Sequence, residues 1–250
     1  MLVPATAFLG GSMWAQGALV FVLAAVIPLW DRYEIPRLKA SSNPRKRIRF
    51  YGKVIAVEWV CTAAAFLTVG WSALFTIHAM PGEVDWLSGS KGSSIVMGLV
   101  AAMAVVLVLP VILAIWSPKV REKAAKAAER LSYLLPSNVE ERMWWWPAVC
   151  ITAGFCEEVL YRGFLLRYFH TAPFHLSLTW ALVAAAVIFG IGHLYQGVKP
   201  AAATVVLGFA LSCVFVVTGS LLVPIIAHAL LDLRVLVLLP AGSVPVEKAA

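Results

Sequence analysis

Residues 148–166 read AVCITAGFCEEVLYRGFLL, an apolar stretch interrupted by two adjacent glutamates and an arginine. The stretch is long and apolar enough for most of a membrane-spanning helix, yet Glu157, Glu158 and Arg162 lie within it. Three unpaired charges near the bilayer centre would cost about 8–10 kcal/mol. The chain must therefore pair these side chains, hydrate them in a cavity or use them in a reaction.

The composition of the whole chain agrees with a membrane location. Of its 250 residues, 61% are hydrophobic and 13% are charged, whereas a soluble domain has about 45–50% apolar and about 25% charged residues. We therefore predict an all-α fold, a polytopic transmembrane helix bundle with seven or eight spans. The apolar runs that define seven of them are 13–30, 54–79, 95–116, 144–169, 177–197, 201–218 and 221–239.

The positive charges are concentrated in two loops. Eight of the 20 Lys and Arg residues fall between Arg32 and Lys53, and six fall between Lys119 and Arg142. Two spans separate these loops, so both lie on one side, and basic loops are typical of the cytoplasmic side and of contact with anionic lipids. We expect a multi-pass protein of the bacterial cytoplasmic membrane, with the N-terminus outside and the C-terminus inside.

The net charge of +7 does not indicate nucleic-acid binding, because no aromatic platform accompanies the basic residues.

Two shorter segments have compositions that predict their location. Segment 119–131, KVREKAAKAAERL, has charges at helical spacing and is predicted to form a surface helix. The run Trp144–Trp145–Trp146 is typical of an interfacial aromatic belt.

Helical geometry separates the two glutamates. Successive residues are rotated by about 100°, so Glu157 and Glu158 face different neighbours. Glu158 and Arg162 are four residues apart in the order that favours an ion pair. Glu157 is left as the carboxylate available for a reaction, and Tyr161, four residues later, is placed to donate a hydrogen bond to it.

Two later spans add three more ionisable residues. His193 follows Phe189 by four residues, so the phenyl ring can wall in the imidazole. His228 and Asp232 are also four residues apart and can face one point. Each group taken alone is equally typical of a polar network that only joins helices.

Taken together, two imidazoles and several carboxylates on three spans suit the activation of water. The water could be held directly for general-base attack. Alternatively, a zinc ion could bind and acidify it, with its ligands among Glu157, His193, His228 and Asp232. The sequence leaves the cofactor unknown. Other polar residues have simpler explanations. Glu58 could join a polar network but is interpreted as snorkelling beside Lys53, and the four cysteines are interpreted as buried and reduced.

Three motifs in order resemble those of the CPBP family, the CAAX protease and bacteriocin-processing (Abi) group of intramembrane proteases. The motifs EExxxR, FxxxH and HxxxN/D read here as Glu157 to Arg162, Phe189 to His193, and His228 to Asp232. The resemblance covers residues 144–240, which would form the catalytic core. Residues 1–143 would supply N-terminal spans with the two basic loops, and 241–250 a short tail.

The resemblance implies an intramembrane endopeptidase, a metallo- or glutamate-dependent enzyme with its active site in the membrane-embedded core. Glu157 and His193 would activate water, while His228 and Asp232 would stabilise the intermediate or bind metal. Glu158, Arg162, Phe189 and Tyr161 would support them. Asp232 departs from the Asn of eukaryotic prenyl proteases, which favours a ligand role or a role in orienting His228.

The resemblance also implies the partners, a peptide or protein substrate with a membrane-associated C-terminal tail. The sequence does not say which tail, or whether it is prenylated. Two other classes stay open. A proton- or ion-coupled transporter also uses intramembrane Glu, His and Asp residues, and a non-catalytic immunity or scaffold protein would keep only the fold.

Overall fold

A computed structural model describes residues 12–41, 43, 45–79, 82–87, 89–171 and 173–239. Within these residues we distinguish nine helices and no strand, which confirms the all-α class. They are α1 (12–40), α2 (Lys46–Val69), α3 (Trp71–Phe75), α4 (Gly89–Trp116), α5 (Pro118–Ala128), α6 (139–170), α7 (Leu178–Gly192), α8 (Val198–Thr218) and α9 (Leu222–Leu238). Helices α1 and α6 contain π-helical turns.

Four helices in the described part of the chain are long and apolar enough to cross a membrane. They are Met13–Ala40 in α1, Lys46–Val69, Met97–Trp116 in α4, and Val198–Thr218. The other three predicted spans coincide with α6, which carries the charged motif, and with α7 and α9, which have 15 and 17 residues. Residues 1–11 and 241–250, the predicted tail included, lie outside the described residues.

Helix α6 lies at the centre of the bundle, where α2, α3, α7 and α9 pack against it. Every residue from 158 to 165 is buried. Two glycines permit the close packing: a Cβ atom at Gly163 would lie 2.6 Å from the carbonyl oxygen of Leu74 in α3, and one at Gly154 would lie 3.1 Å from Ala229 in α9. The charged motif is therefore enclosed by protein rather than by lipid.

The two basic loops meet, as their placement on one side predicts. Arg47, in the first turn of α2, forms a buried ion pair with Glu141 in the first turn of α6, with 3.0 Å between Nη1 and Oε1. Arg47 also donates to the carbonyl oxygens of Ser132 and Tyr133, and Ser137 donates to Glu141 through its backbone N–H and its hydroxyl. We call these five residues the docking cluster.

The segment predicted as a surface helix is helical in Pro118–Ala128 and continues as a 3₁₀ turn in Glu129–Leu131. The tryptophan run differs in part from the expected aromatic belt. Trp144 and Trp146 are exposed, but Trp145 is buried and packs edge-on against Tyr51, with 5.8 Å between ring centroids. A helix turns about 100° per residue, so three consecutive side chains cannot all face lipid.

Candidate active site in the membrane-embedded core

A π-helical segment, Glu158–Leu165, starts within the charged motif of α6. Such distortions are frequent at functional sites. The predicted ion pair is present: Arg162 Nη1 lies 3.0 Å from Glu158 Oε1, and the two side chains are 1% and 0% exposed. The arginine guanidinium also lies over the ring of Phe189, 4.2 Å from its centroid. Glu158 and Arg162 thus neutralise each other inside the bundle.

Glu158 has a second partner, which the spacing within α6 does not reveal. His228 of α9 donates from Nδ1–H to the same oxygen, Glu158 Oε1, at 2.7 Å. Because a carboxylate accepts this bond, the other ring nitrogen of His228 is turned to the opposite side. There Nε2 lies 3.7 Å from Glu157 Oε2 and 3.7 Å from Asp232 Oδ2. Three carboxylates therefore surround one imidazole.

Glu157 is the carboxylate left without a local partner, as the helical argument predicts. Its Oε2 atom is buried and accepts no hydrogen bond from any described residue. Tyr161 does not donate to it in this structure; the two residues instead line one cavity. A buried carboxylate oxygen without a donor normally has a water or a ligand as its partner.

His193 ends α7 and is fixed by its own helix. Its Nδ1–H donates to the carbonyl oxygen of Phe189 at 2.9 Å, so in the neutral ring Nε2 is the nitrogen with a free lone pair. The predicted contact with Phe189 is present, with ring centroids 4.7 Å apart, and the same ring lies 6.1 Å from that of His228. Phe189 thus packs against both imidazoles.

A small, partly open cavity of about 100 Å³ brings these groups together. Glu157, Tyr161 and His193 line it from α6 and α7, and Asp31 and Glu58 line it from α1 and α2. His228 and Asp232 lie behind Glu157, within 3.7 Å of each other. The structure therefore places all four predicted catalytic residues in one region, with Glu157 in contact with His228 and sharing the cavity with His193.

The sequence reasoning missed the two carboxylates that α1 and α2 contribute. The interpretation of Glu58 as snorkelling beside Lys53 is wrong, because Lys53 pairs with Glu34 at 2.5 Å and Glu58 faces the cavity. The spacing gave a signal: residues five apart on a helix are rotated by about 140° and cannot share a face. Asp31 escaped notice because the first span was predicted to end at residue 30, whereas α1 continues to Ala40.

The four proposed zinc ligands are not gathered around one point. No group of three His, Cys, Asp or Glu side chains in the described ranges is arranged to hold a metal ion. Nδ1 of His228 is already bonded to Glu158, and Nδ1 of His193 to the carbonyl oxygen of Phe189. The side chains as placed do not fit a zinc site, so we derive no step through a metal.

Residues 139–234 match the model of the family described as type II CAAX prenyl endopeptidase Rce1-like. This segment of the chain is similar to the CAAX protease family. The match spans α6 to α9 up to residue 234 and contains all three motifs. No curated protein and no solved structure matches the chain significantly.

The matched segment forms only part of the cavity wall. Glu157 and His193 lie inside it, whereas Asp31 and Glu58 belong to helices that precede it. The four cysteines are buried and free, as predicted. The family match therefore supports an intramembrane endopeptidase in general, and Asp31 and Glu58 line the cavity from outside the matched segment.

Proposed function

We propose that the protein is an intramembrane endopeptidase that hydrolyses a peptide bond with a water molecule held between Glu157 and His193. One observation carries the proposal. The unpartnered carboxylate oxygen of Glu157 and the imidazole of His193, whose Nδ1–H is already bonded, border the same cavity. Both groups can accept a proton, and a water between them would satisfy both.

The reaction follows from these roles. Glu157 takes a proton from the water while His193 accepts its second hydrogen bond, and the resulting hydroxide attacks the peptide carbonyl carbon. The carbonyl oxygen becomes an oxyanion in a tetrahedral intermediate. When the carbon–nitrogen bond breaks, Glu157 returns its proton to the leaving amine. The products are a carboxylic acid and an amine, and the acid's proton passes to the amine to give a carboxylate and an ammonium group, so the enzyme is unchanged.

His228 is proposed to stabilise the oxyanion. Its Nδ1–H is held by Glu158, and its Nε2 lies 3.7 Å from Asp232 and from Glu157, so in the protonated ring Nε2–H would be the donor to the oxyanion. Asp232 cannot donate to an oxyanion when ionised, so we assign it to orienting His228. Glu158 acts through His228 and is a positioning residue.

The substrate is proposed to be the membrane-associated C-terminal tail of a protein or peptide. The site lies among membrane-spanning helices, so a substrate held at the membrane reaches it more easily than a soluble one. The matched family is described as a CAAX prenyl endopeptidase, which supports the same class of substrate. The expected orientation, with the N-terminus outside and the C-terminus inside, would place the basic loops on the cytoplasmic side.

The test compares C-terminal peptides of membrane proteins from cells that express the wild-type chain or Glu157→Gln. Truncated C-termini that occur only with the wild type support the proposal, and His193→Ala should abolish them too. Glu122→Gln is the matched control, because Glu122 is exposed on α5. Identical C-termini in all cells, with equal amounts of folded protein, would refute a protease and leave a scaffold or a transporter.

The zinc alternative has a separate test on the purified protein. Cleavage that survives exhaustive chelation supports the metal-free route. Cleavage that is lost on chelation and restored by zinc would instead assign Glu157, His193, His228 and Asp232 as ligands after a rearrangement of their side chains.

A further inference from the structure

The wall of the cavity opposite His193 carries two carboxylates that the proposed reaction does not use. Asp31 is 8% exposed and forms no hydrogen bond or ion pair with another described residue. Glu58 has a buried Oε2 atom that likewise has no hydrogen-bond partner in the described part of the chain. Buried polar atoms without partners are rare in native proteins and call for an explanation.

Among the described residues, Glu157 has His228 within 3.7 Å, whereas Asp31 and Glu58 have no counter-ion in the ion pairs of the structure. The residues that line the cavity include three carboxylates, Asp31, Glu58 and Glu157, and no Lys or Arg. Elsewhere in the molecule buried carboxylates are paired: Glu141 with Arg47, and Glu158 with Arg162. Charges in an apolar enclosure are stabilised by a counter-charge, so the acidic wall is complementary to a positive charge from outside the chain.

Aromatic rings border the same space. Trp30 and Phe50 line the cavity and stack on each other, with centroids 5.8 Å apart and planes within 4°. Tyr195 lines it from the other side. Aromatic faces attract ammonium and guanidinium groups. Carboxylates beside aromatic rings are a favourable environment for an organic cation on an apolar stem.

The acidic wall can be reached from outside. Asp31 and Tyr195 also border a second groove between α1 and the end of α7, lined mainly by apolar side chains such as Leu29, Ile191 and Leu194. Asp31 therefore stands where this groove meets the central cavity. An extended peptide lying in the groove would pass Asp31 before its backbone reached Glu157.

We propose that Asp31 and Glu58 form a subsite that binds a lysine or arginine side chain of the substrate, next to the peptide bond that is cleaved. The inference rests on the proposed endopeptidase function and adds a substrate preference to it. Glu157 and His193 act on the peptide bond, while Asp31 and Glu58 bind the side chain next to it.

The experiment uses the full-length protein in nanodiscs and N-lauroylated alanine hexapeptides that carry lysine or norleucine at one position at a time. Norleucine has nearly the same shape as lysine without the charge. At one position the lysine peptide should be cleaved at least about tenfold more efficiently, as a difference of about 1.4 kcal/mol gives. Asp31→Asn should bring this ratio close to one, and Asp31→Lys should invert it. Glu122→Gln should leave it unchanged.

Binding of the same peptides to His193→Ala separates the two proposals, because that variant should not cleave them. A lysine preference in binding, without cleavage by the wild type, would support the subsite and refute the protease. Cleavage with equal efficiency for lysine and norleucine at every position would overturn the subsite alone. A preference that survives in folded Asp31→Asn would overturn it as well, and this nearly isosteric variant decides if Asp31→Lys does not fold.

Discussion

Two buried arginine–glutamate pairs divide this molecule into a structural region and a reactive one. Arg47–Glu141 and Arg162–Glu158 have the same separation of 3.0 Å, and neither pair is more than 6% exposed. The pairs differ in what else they contact. In the docking cluster every group has further partners: Arg47 also bonds Ser137 and two carbonyl oxygens, and Glu141 also accepts from Ser137.

The Glu158–Arg162 pair in the core is incompletely hydrogen-bonded, and we call it the incomplete pair. Glu158 Oε2 and both terminal nitrogens of Arg162 are buried without a hydrogen bond from described residues, although Arg162 lies beside Glu158 Oε1. The shared oxygen holds His228, and the guanidinium lies over Phe189. A fully bonded network fixes a loop on a helix, whereas an incompletely bonded one beside a cavity orients groups that act on something else.

Breaking the Arg47–Glu141 pair of the docking cluster should have the largest effect on folding. Arg47→Ala leaves the carboxylate of Glu141 buried without its cation, which costs about 3–5 kcal/mol. We expect most of the purified protein to be unfolded or to melt at a much lower temperature in detergent. Arg49→Ala, two residues away on the exposed face, is the control. Unchanged melting of Arg47→Ala would show that the docking cluster is not structural.

A change in the incomplete pair should lower activity as well as stability. Glu158→Gln removes the charge that holds His228, so cleavage should fall about tenfold to a hundredfold, the effect typical of groups that orient a functional imidazole. Stability should fall as well, because Arg162 is left buried without its anion, so cleavage is compared per folded molecule. Activity and melting temperature are measured on one preparation, with Glu140→Gln as the exposed control. Full activity with lowered stability would return Glu158 to a purely structural role.

A smaller change tests the position of the Phe189 ring, which packs against both histidines and Arg162. In Gly208→Ala the added Cβ would lie 2.8 Å from Phe189 Cδ1 and 3.3 Å from Arg162 Nη2, so the ring must shift. We expect cleavage to fall several-fold, about 1 kcal/mol in the barrier, with little change in melting temperature. The control Gly52→Ala adds a Cβ that meets nothing within 4 Å. Equal activities of the two variants would show that the ring position does not matter.

Much of the site could be predicted from the sequence because the residues of each motif lie within about one helical turn of each other. The spacing of Glu158 and Arg162 predicted their ion pair, and that of His228 and Asp232 predicted a common direction. Contacts between helices could not be read in this way. The bond from His228 to Glu158 joins residues 70 positions apart, and no periodicity within either helix encodes it.

The sequence by itself determined the membrane bundle, its helical class, the placement of both basic loops on one side and the three polar motifs. These follow from composition and from periods of three to four residues, which act over one or two helical turns. Only the tertiary structure decided that Glu158 holds His228, that Arg47 closes a structural network, and that Asp31 and Glu58 face Glu157 across a cavity. Such pairings depend on which faces of distant helices meet, and that is set by the packing of the whole bundle.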